Sequence, residues 1–264
     1  MKMTRVTNLE VAELEFYTQW NERQLKRFYE PEEGVFICES EKVIRRALYA
    51  GYEPISVLCQ EERFPVIQDM VAQRDIPIFL ASYDDMRSLT GYSLTGGILM
   101  AMRRKTLKSV EDILRQCGHI VVLDDVENPT NVGAIFRSAA ALGADAVLLT
   151  EGCADPLYRR AARVSMGSVF QVDWTFSDAD IMNKLQGNGF ETYALALMPN
   201  ADKLGQIDHQ ASKKAVILGN EEHGISKEIL DRADHCVVIP MHREVDSLNV
   251  AAASAVAFWE IFRP

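Results

Sequence analysis

Residues Ile120-Val121-Val122-Leu123-Asp124-Asp125-Val126-Glu127-Asn128-Pro129-Thr130-Asn131-Val132-Gly133-Ala134-Ile135-Phe136-Arg137 carry a strand, a polar corner and the opening of a helix in one line. Ile120–Leu123 is apolar without a polar alternate, which is how a strand covered on both faces reads. The polar corner and Pro129 end it, and a helix is expected over Val132–Leu142. Working outward, strands are expected at Ala146–Leu149, Val169–Val172, Thr192–Leu197, Ala215–Leu218 and Cys236–Ile239. Helices are expected between them at Leu157–Val164, Ala179–Gln186 and Ser226–Asp231, with an Ala-rich helix over Leu248–Phe262 closing the chain. Alternation of this kind predicts a parallel sheet with helices on its faces, an α/β architecture.

The first half alternates as well, with strands at Val35–Cys38, Ile55–Leu58, Pro77–Leu80 and Ile98–Met102 and helices at Lys42–Ala50, Pro65–Arg74 and Asp84–Thr90. A mixed-charge, helix-friendly segment from Asn8 to Glu30 precedes them, and Pro31-Glu32-Glu33-Gly34 breaks it. Arg103-Arg104-Lys105-Thr106-Leu107-Lys108 places four positive charges in six positions ahead of a helix expected at Ser109–Gln116. The division expected is a smaller N-terminal α/β domain over 1–105, a linker over 106–118 and a larger domain over 119–264.

The 264 residues are 48% hydrophobic and 25% charged, an ordinary globular composition that excludes disordered and fibrous classes. Every apolar run is far shorter than the roughly 18 residues a bilayer span needs. The N-terminus shows no apolar stretch before Glu10, so a cytoplasmic location is expected rather than a secretory signal. Five dispersed cysteines without a C-x-x-C pair read as reduced, buried thiols, and no metal is expected. The net charge of −10 argues against a polyanionic partner, but residues 1–118 carry 16 basic against 18 acidic side chains and residues 119–264 carry 12 against 20. Any RNA-docking surface is therefore sought in the first half or in local arginine clusters.

For chemistry, a parallel sheet first raises dinucleotide binding. No G-x-G-x-x-G follows a strand, however, and Gly187-Asn188-Gly189 closes a helix instead. Walker and nucleophile-elbow motifs are absent. Asp124, Asp125 and Glu127 read as a polar strand end, with Mg²⁺ ligation as the alternative. Three polar clusters remain, each after a strand, where open α/β sheets place their ligands. They are Asn131-x-Gly133 with Arg137, then Gly219-Asn220-Glu221-Glu222-His223-Gly224, then Ile239-Pro240-Met241 followed by Ser247-Leu248-Asn249-Val250. Helix capping is the plain reading for Asn131 and Asn249, and a solvated helix face for Arg137, although its apolar neighbours suit a charge aimed into a cleft.

In that order and spacing, the clusters resemble the three motifs of the SpoU (TrmH) branch of the SPOUT RNA methyltransferases. The likeness covers residues 119–264, and the first half resembles the ribosomal-protein-like substrate-binding domain found upstream in such enzymes. The resemblance implies a deep trefoil knot, an obligate homodimer built partly on the last helix, and S-adenosylmethionine held around Gly219, Ile239, Met241 and Leu248. The reaction it implies is methylation of a ribose 2′-hydroxyl, with rRNA favoured over tRNA. Arg137 would clamp the adjacent phosphate, which takes the proton, and stabilise the alkoxide, while Asn131, Glu221, Ser247 and Asn249 orient the groups around it. RNA contacts are expected from Arg159, Arg160 and Arg163 and from Arg103, Arg104 and Lys105. Two positions depart from many relatives, Arg243 in place of Gly and Ala251 in place of Ser. These departures are what a non-catalytic RNA-binding or assembly protein, the alternative reading, would rest on.

Overall fold

The computed structural model describes residues 2–6, 9, 11–27, 34–90, 96–207, 211–243 and 245–263, with the side chains of 88–90 outside that description. The break expected at Pro31-Glu32-Glu33 lies outside the described residues. The chain divides into two units, one of Met1–Thr106 with Leu157–Phe170, the other of Leu107–Pro156 with Gln171–Pro264. Leu157–Phe170 thus packs with the first unit although it lies within the 119–264 stretch.

The first unit holds β1 (Lys2–Arg5), β2 (Val35–Glu39), β3 (Pro54–Gln60), β4 (Pro77–Ala81) and β5 (Ile98–Arg103) in the order β1-β4-β3-β5-β2. β5 runs antiparallel to β3 and β2, whereas β1, β4 and β3 are parallel. The segment from Asn8 to Glu30 is not one helix: a 3₁₀ turn at Ala12–Leu14 leads into α1 (Glu15–Thr18), and α2 (Glu22–Lys26) starts afresh. Asn21 causes the restart, because its side chain accepts from the Gln24 N–H at 3.0 Å while the Gln24 side chain accepts from the Asn21 N–H, a reciprocal cap. Tyr17 anchors α1 in the core, its hydroxyl donating to Ser56 O at 2.8 Å and accepting from the Ala101 N–H at 3.1 Å. Helices α3 (Glu41–Tyr49), α4 (Phe64–Val71) and α5 (Tyr83–Thr90) fall where the sequence places them, within one to three residues.

The second unit begins with α6 (Val110–Gln116), capped by Ser109, whose hydroxyl accepts from the Asp112 N–H at 3.1 Å. Its sheet has seven strands: β6 (His119–Leu123), β7 (Ala146–Leu149), β8 (Asp173–Phe176), β9 (Glu191–Leu195), β10 (Asp202–Lys203), β11 (Lys214–Leu218) and β12 (His235–Val238). Their order is β10-β12-β9-β11-β6-β7-β8 and every pairing is parallel. β7 and β11 are buried along their whole length, which is why they read as unbroken apolar runs. The strand expected at Val169–Val172 is instead a 3₁₀ turn at Ser168–Phe170, and the pairing falls to the next residues, β8. Val169-Phe170-Gln171-Val172 is too short for its pattern to separate strand from buried turn.

Between the strands lie α7 (Pro129–Ala141), α8 (Arg159–Val164, in the first unit), α9 (Ile181–Gly187), α10 (Lys227–Leu230) and α11 (Val250–Ile261). α7 begins three residues before the expected start because Pro129 fits the first helical turn and Asn128 caps it, accepting from the Thr130 N–H at 2.9 Å. α11 packs on α7 and β11. Its last turn is held by Lys214, whose buried ammonium donates to Ile261 O at 2.9 Å and whose pKa is pulled down by burial. None of the described helices is long and apolar enough to cross a membrane.

Candidate functional site

The carboxyl ends of β12, β9 and β11, neighbours in the sheet, open onto one cavity of about 560 Å³. Its walls are Leu195–Met198 after β9, Leu218–Ile225 after β11, Val237–Ile239 with Met241 after β12, and Ser247–Val250 with Ala253 where α11 starts. Gly219, Ile239, Met241 and Leu248, the expected cofactor contacts, all line it, as do Glu221, Ser247 and Asn249. The sequence reading missed the Leu197 and Met198 wall, which is exposed at 59% and 49%. An apolar pair past a strand end leaves no motif to find.

The turn after β11 is shaped by backbone contact. A Cβ on Gly219 would stand 2.3 Å from the carbonyl carbon of Gly224 and 2.4 Å from Ile225 N, so only glycine fits. Asn220 and Gly224 pair across the turn, N–H to carbonyl in both directions, at 2.9 and 3.0 Å. The Asn220 side chain accepts from the N–H groups of Glu222 and His223 at 2.8 and 3.1 Å and donates to Asp125 O at 2.8 Å, which ties the turn to the end of β6. Asp124, buried, accepts from the Ser226 N–H at 2.7 Å on the far side of the same turn. Asp125 is engaged with Thr150 (2.6 Å). These are the partners of a polar strand end. Among the described residues no group of three His, Cys, Asp or Glu side chains converges as a metal site.

Asn131 joins the three clusters. Capping is not its task, since Asn128 caps α7; Asn131 is 7% exposed, its amide donates to Glu221 Oε1, and its oxygen accepts from Asn249 Nδ2 at 3.3 Å. Asn249 does both jobs, capping α11 through the Ala251 N–H at 3.0 Å while reaching Asn131. Ala251 takes part through its backbone. Arg137 lies elsewhere: it is exposed, makes no hydrogen bond or ion pair with the described residues and does not line the cavity. Its neighbours Ile135 and Phe136 are fully buried, Phe136 edge-on to Trp174 with ring centroids 6.4 Å apart, so the helix around the guanidinium is firmly seated.

The arginines nominated for RNA are in the first unit. Arg159 and Arg163 face Glu39, Arg160 is exposed, Arg103 is half-buried, and Arg104 is only 8% exposed, so its guanidinium is not offered to solvent. Lys105 donates to Ala50 O at 2.5 Å and covers the Tyr52 ring. All five cysteines are free thiols, and burial pushes Cys153 up to about 11 and Cys59 up to about 12, far from the thiolate that reactivity requires.

Arg243 sits at φ +58°, a left-handed conformation that favours glycine. Relief of that strain, about 1–2 kcal/mol, is partly offset by the backbone entropy of glycine, about 0.5–1 kcal/mol. Arg243→Gly is therefore expected to raise stability by about 0–1.5 kcal/mol in a denaturant titration. A loss of more than 1 kcal/mol would show that the arginine side chain holds the loop.

A parallel α/β sheet with a cavity at its carboxyl edge, walled by the segments that follow β9, β11 and β12, places this chain among α/β proteins built to hold a small-molecule ligand. The chain belongs to the SpoU rRNA methylase family, whose profile matches residues 118–259. It is 37% identical over 235 residues to an uncharacterised tRNA/rRNA methyltransferase of Mycobacterium bovis, covering 86% of this chain and 80% of that one. Over 230 residues it is 26% identical to the 23S rRNA (guanosine(2553)-2′-O)-methyltransferase RlmP of Bacillus subtilis, covering 86% and 88%. In fold it is similar to the AdoMet-bound rRNA methyltransferase of Sinorhizobium meliloti, with a TM-score of 0.81 and 24% identity over 98% of this chain and 97% of that one.

Proposed function

We propose that the protein transfers a methyl group from S-adenosylmethionine to a ribose 2′-hydroxyl of RNA, with 23S rRNA favoured over tRNA. The observation that carries this reading is the link of Asn131 to Glu221 and Asn249, which draws the three clusters together beside the cavity. The B. subtilis relative, a 23S rRNA 2′-O-methyltransferase, supports the choice of RNA and of atom.

The cavity suits the cofactor. Its volume of about 560 Å³ lies within the range of about 300–1,000 Å³ usual for cofactor sites, and Ile239, Met241 and Leu248 give apolar walls for a flat base. The bare backbone of Gly219 would admit close approach. When bound, S-adenosylmethionine supplies an electrophilic methyl on a sulfonium that is already a good leaving group. The protein's task is then alignment and charge. Arg137 stays protonated and so serves as a clamp on the neighbouring phosphate and a positive charge for the developing alkoxide, not as a base. Asn131, Glu221, Ser247 and Asn249 orient the loops and the ribose.

In the same reading, residues 1–105 bind RNA, 106–118 link, and 119–264 form the methyltransferase domain with its trefoil knot. Exposed Val256 (42%) and Trp259 (65%) on α11 support a homodimer, and the enzyme acts in the cytoplasm without a metal. The test is transfer of labelled methyl to total RNA from a strain lacking the protein. Label is expected as a 2′-O-methyl nucleoside in 23S rRNA. Label on a base would overturn the choice of atom, and cofactor binding without any label would return the non-catalytic binder.

A further inference from the structure

We propose that His235 is a positioning residue for one wall of the cofactor cavity, clamping Asp202 at the far end of the segment that carries Leu197 and Met198. The inference rests on that cavity holding S-adenosylmethionine and says what fixes a side of it that no motif marks.

Leu195 ends β9 and Asp202 opens β10, and the two strands lie on either side of β12. Residues 196–201 bridge them, with Leu197 and Met198 turned to the cavity. The β9 end of this bridge is held by the Ala196 N–H, which donates to Val237 O at 3.1 Å. Two turn bonds run along it, from the Met198 N–H to Ala196 O and from the Ala201 N–H to Met198 O, both 3.1 Å. The β10 end is an edge strand paired over two residues, Asp202 opposite Val237 and Lys203 opposite Val238. That is shorter than the usual strand of about 3–10 residues and fixes little by itself.

A side-chain clamp adds to it. His235, which opens β12, presents Nε2 to Glu191 Oε1 at 3.1 Å and Nδ1 to Asp202 Oδ2 at 3.7 Å. Its ring is stacked on Tyr193, with centroids 4.9 Å and planes 14° apart, which holds its edge toward both carboxylates. The Tyr193 hydroxyl donates to Glu191 Oε2 at 2.5 Å. Burial pushes the Glu191 carboxyl up, but the bonds from Tyr193 and His235 outweigh it and hold the group below its usual range, so it stays an anion. Only imidazolium carries a proton on both ring nitrogens. Neutral imidazole keeps one, which the nearer Glu191 claims, and turns a lone pair toward Asp202. The clamp on Asp202 is therefore present with the second proton and lost without it, a change histidine makes between about pH 5 and 8.

The other groups around the ring are committed elsewhere or stand apart. Asp234 accepts from the Thr192 N–H and hydroxyl at 2.9 and 2.7 Å. Lys214, opposite Glu191 in β11, donates to Ile261 O. The Cys236 thiol is pushed up by burial and then by Asp202, and so stays neutral, while Lys203 is exposed beside Asp202. Asp202 is itself 60% exposed, so the clamp has the modest size of a surface pair.

The test is calorimetric titration of the full chain with S-adenosylmethionine at about pH 6 and about pH 8.5, wild type beside Asp202→Asn. At the lower pH the substitution is expected to raise the dissociation constant by about twofold to fivefold, the range of one exposed ion pair, and at the higher pH the two chains should bind alike. His223 also lines the cavity and titrates in the same window, so the ratio between the two chains is the quantity read. In a His235→Gln chain the same substitution should change nothing at either pH, because the clamp is already gone. A merely structural role for Asp202 would lower affinity equally at both. A ratio that does not fall toward one as the pH rises overturns the inference, as does an undiminished effect of Asp202→Asn in the His235→Gln chain. If His235→Gln does not fold, the pH pair decides alone. A wild type that binds no S-adenosylmethionine sinks the functional reading, whereas binding that Asp202→Asn leaves unaltered sinks this inference alone.

Discussion

Replacing Arg137 with alanine is expected to lower methyl transfer by about 10²–10³-fold while leaving the fold and cofactor affinity untouched. In the proposed reading the size follows from the loss of one charge opposite a developing oxyanion, worth about that much where a donor has been removed from other active sites. Selectivity follows from position. The guanidinium makes no hydrogen bond or ion pair with the described residues, so truncation should cost less than about 0.5 kcal/mol of stability. It does not line the cavity, so the dissociation constant of S-adenosylmethionine should not move. Lysine should recover little, because a point charge cannot grip phosphate as a fork does. Single-turnover rates, a thermal melt and calorimetric titration of the cofactor check the three parts. Transfer within tenfold of wild type would remove Arg137 from the chemistry.

Gly219→Ala should strike the other half of the site, weakening cofactor binding by at least about tenfold and stability by about 1–3 kcal/mol. The added methyl would fall 2.3–2.4 Å from three backbone atoms of Gly224 and Ile225, and backbone cannot swing aside as a side-chain tip can. The turn must open, which breaks the Asn220–Gly224 pair and draws Glu221 away from Asn131. Gly224→Ala is the control. Its Cβ meets nothing within 4 Å, and only the φ of +72° resists, a strain of about 1–2 kcal/mol. Affinity for S-adenosylmethionine should therefore fall more at 219 than at 224. The opposite order would mean that close approach at Gly219 does not shape the cavity.

The parts of this fold that were legible in the sequence are those where burial leaves an unambiguous mark. β7 spans the residues expected, and β6 and β11 differ from expectation by one residue, because strands covered on both faces admit only apolar side chains. β1 and β10 carry too much charge to be seen, Lys2–Arg5 and Asp202–Lys203 being strands only through pairing with distant partners. The same limit governs single residues. Capping by Asn249 can be read locally, and Pro129 at the first helical position marks Asn128 as the cap of α7, but the link of Asn131 to Glu221 spans 90 positions and leaves no local signal. Glu39 ends a strand and so reads as surface, since the arginine that makes its burial tolerable lies 124 positions on.

The excursion of Leu157–Phe170 limits how this architecture can be taken apart. A chain cut at the basic stretch before α6 would separate 1–106 from α8, taking from β2 both a helix packed on it and the guanidiniums that compensate Glu39. The front half is thus not a detachable module, and grafting it onto another catalytic unit would need two junctions. Inheritance of the two halves is expected to be joint: an exchange of one without the other strands a charge in the interior and selects against itself.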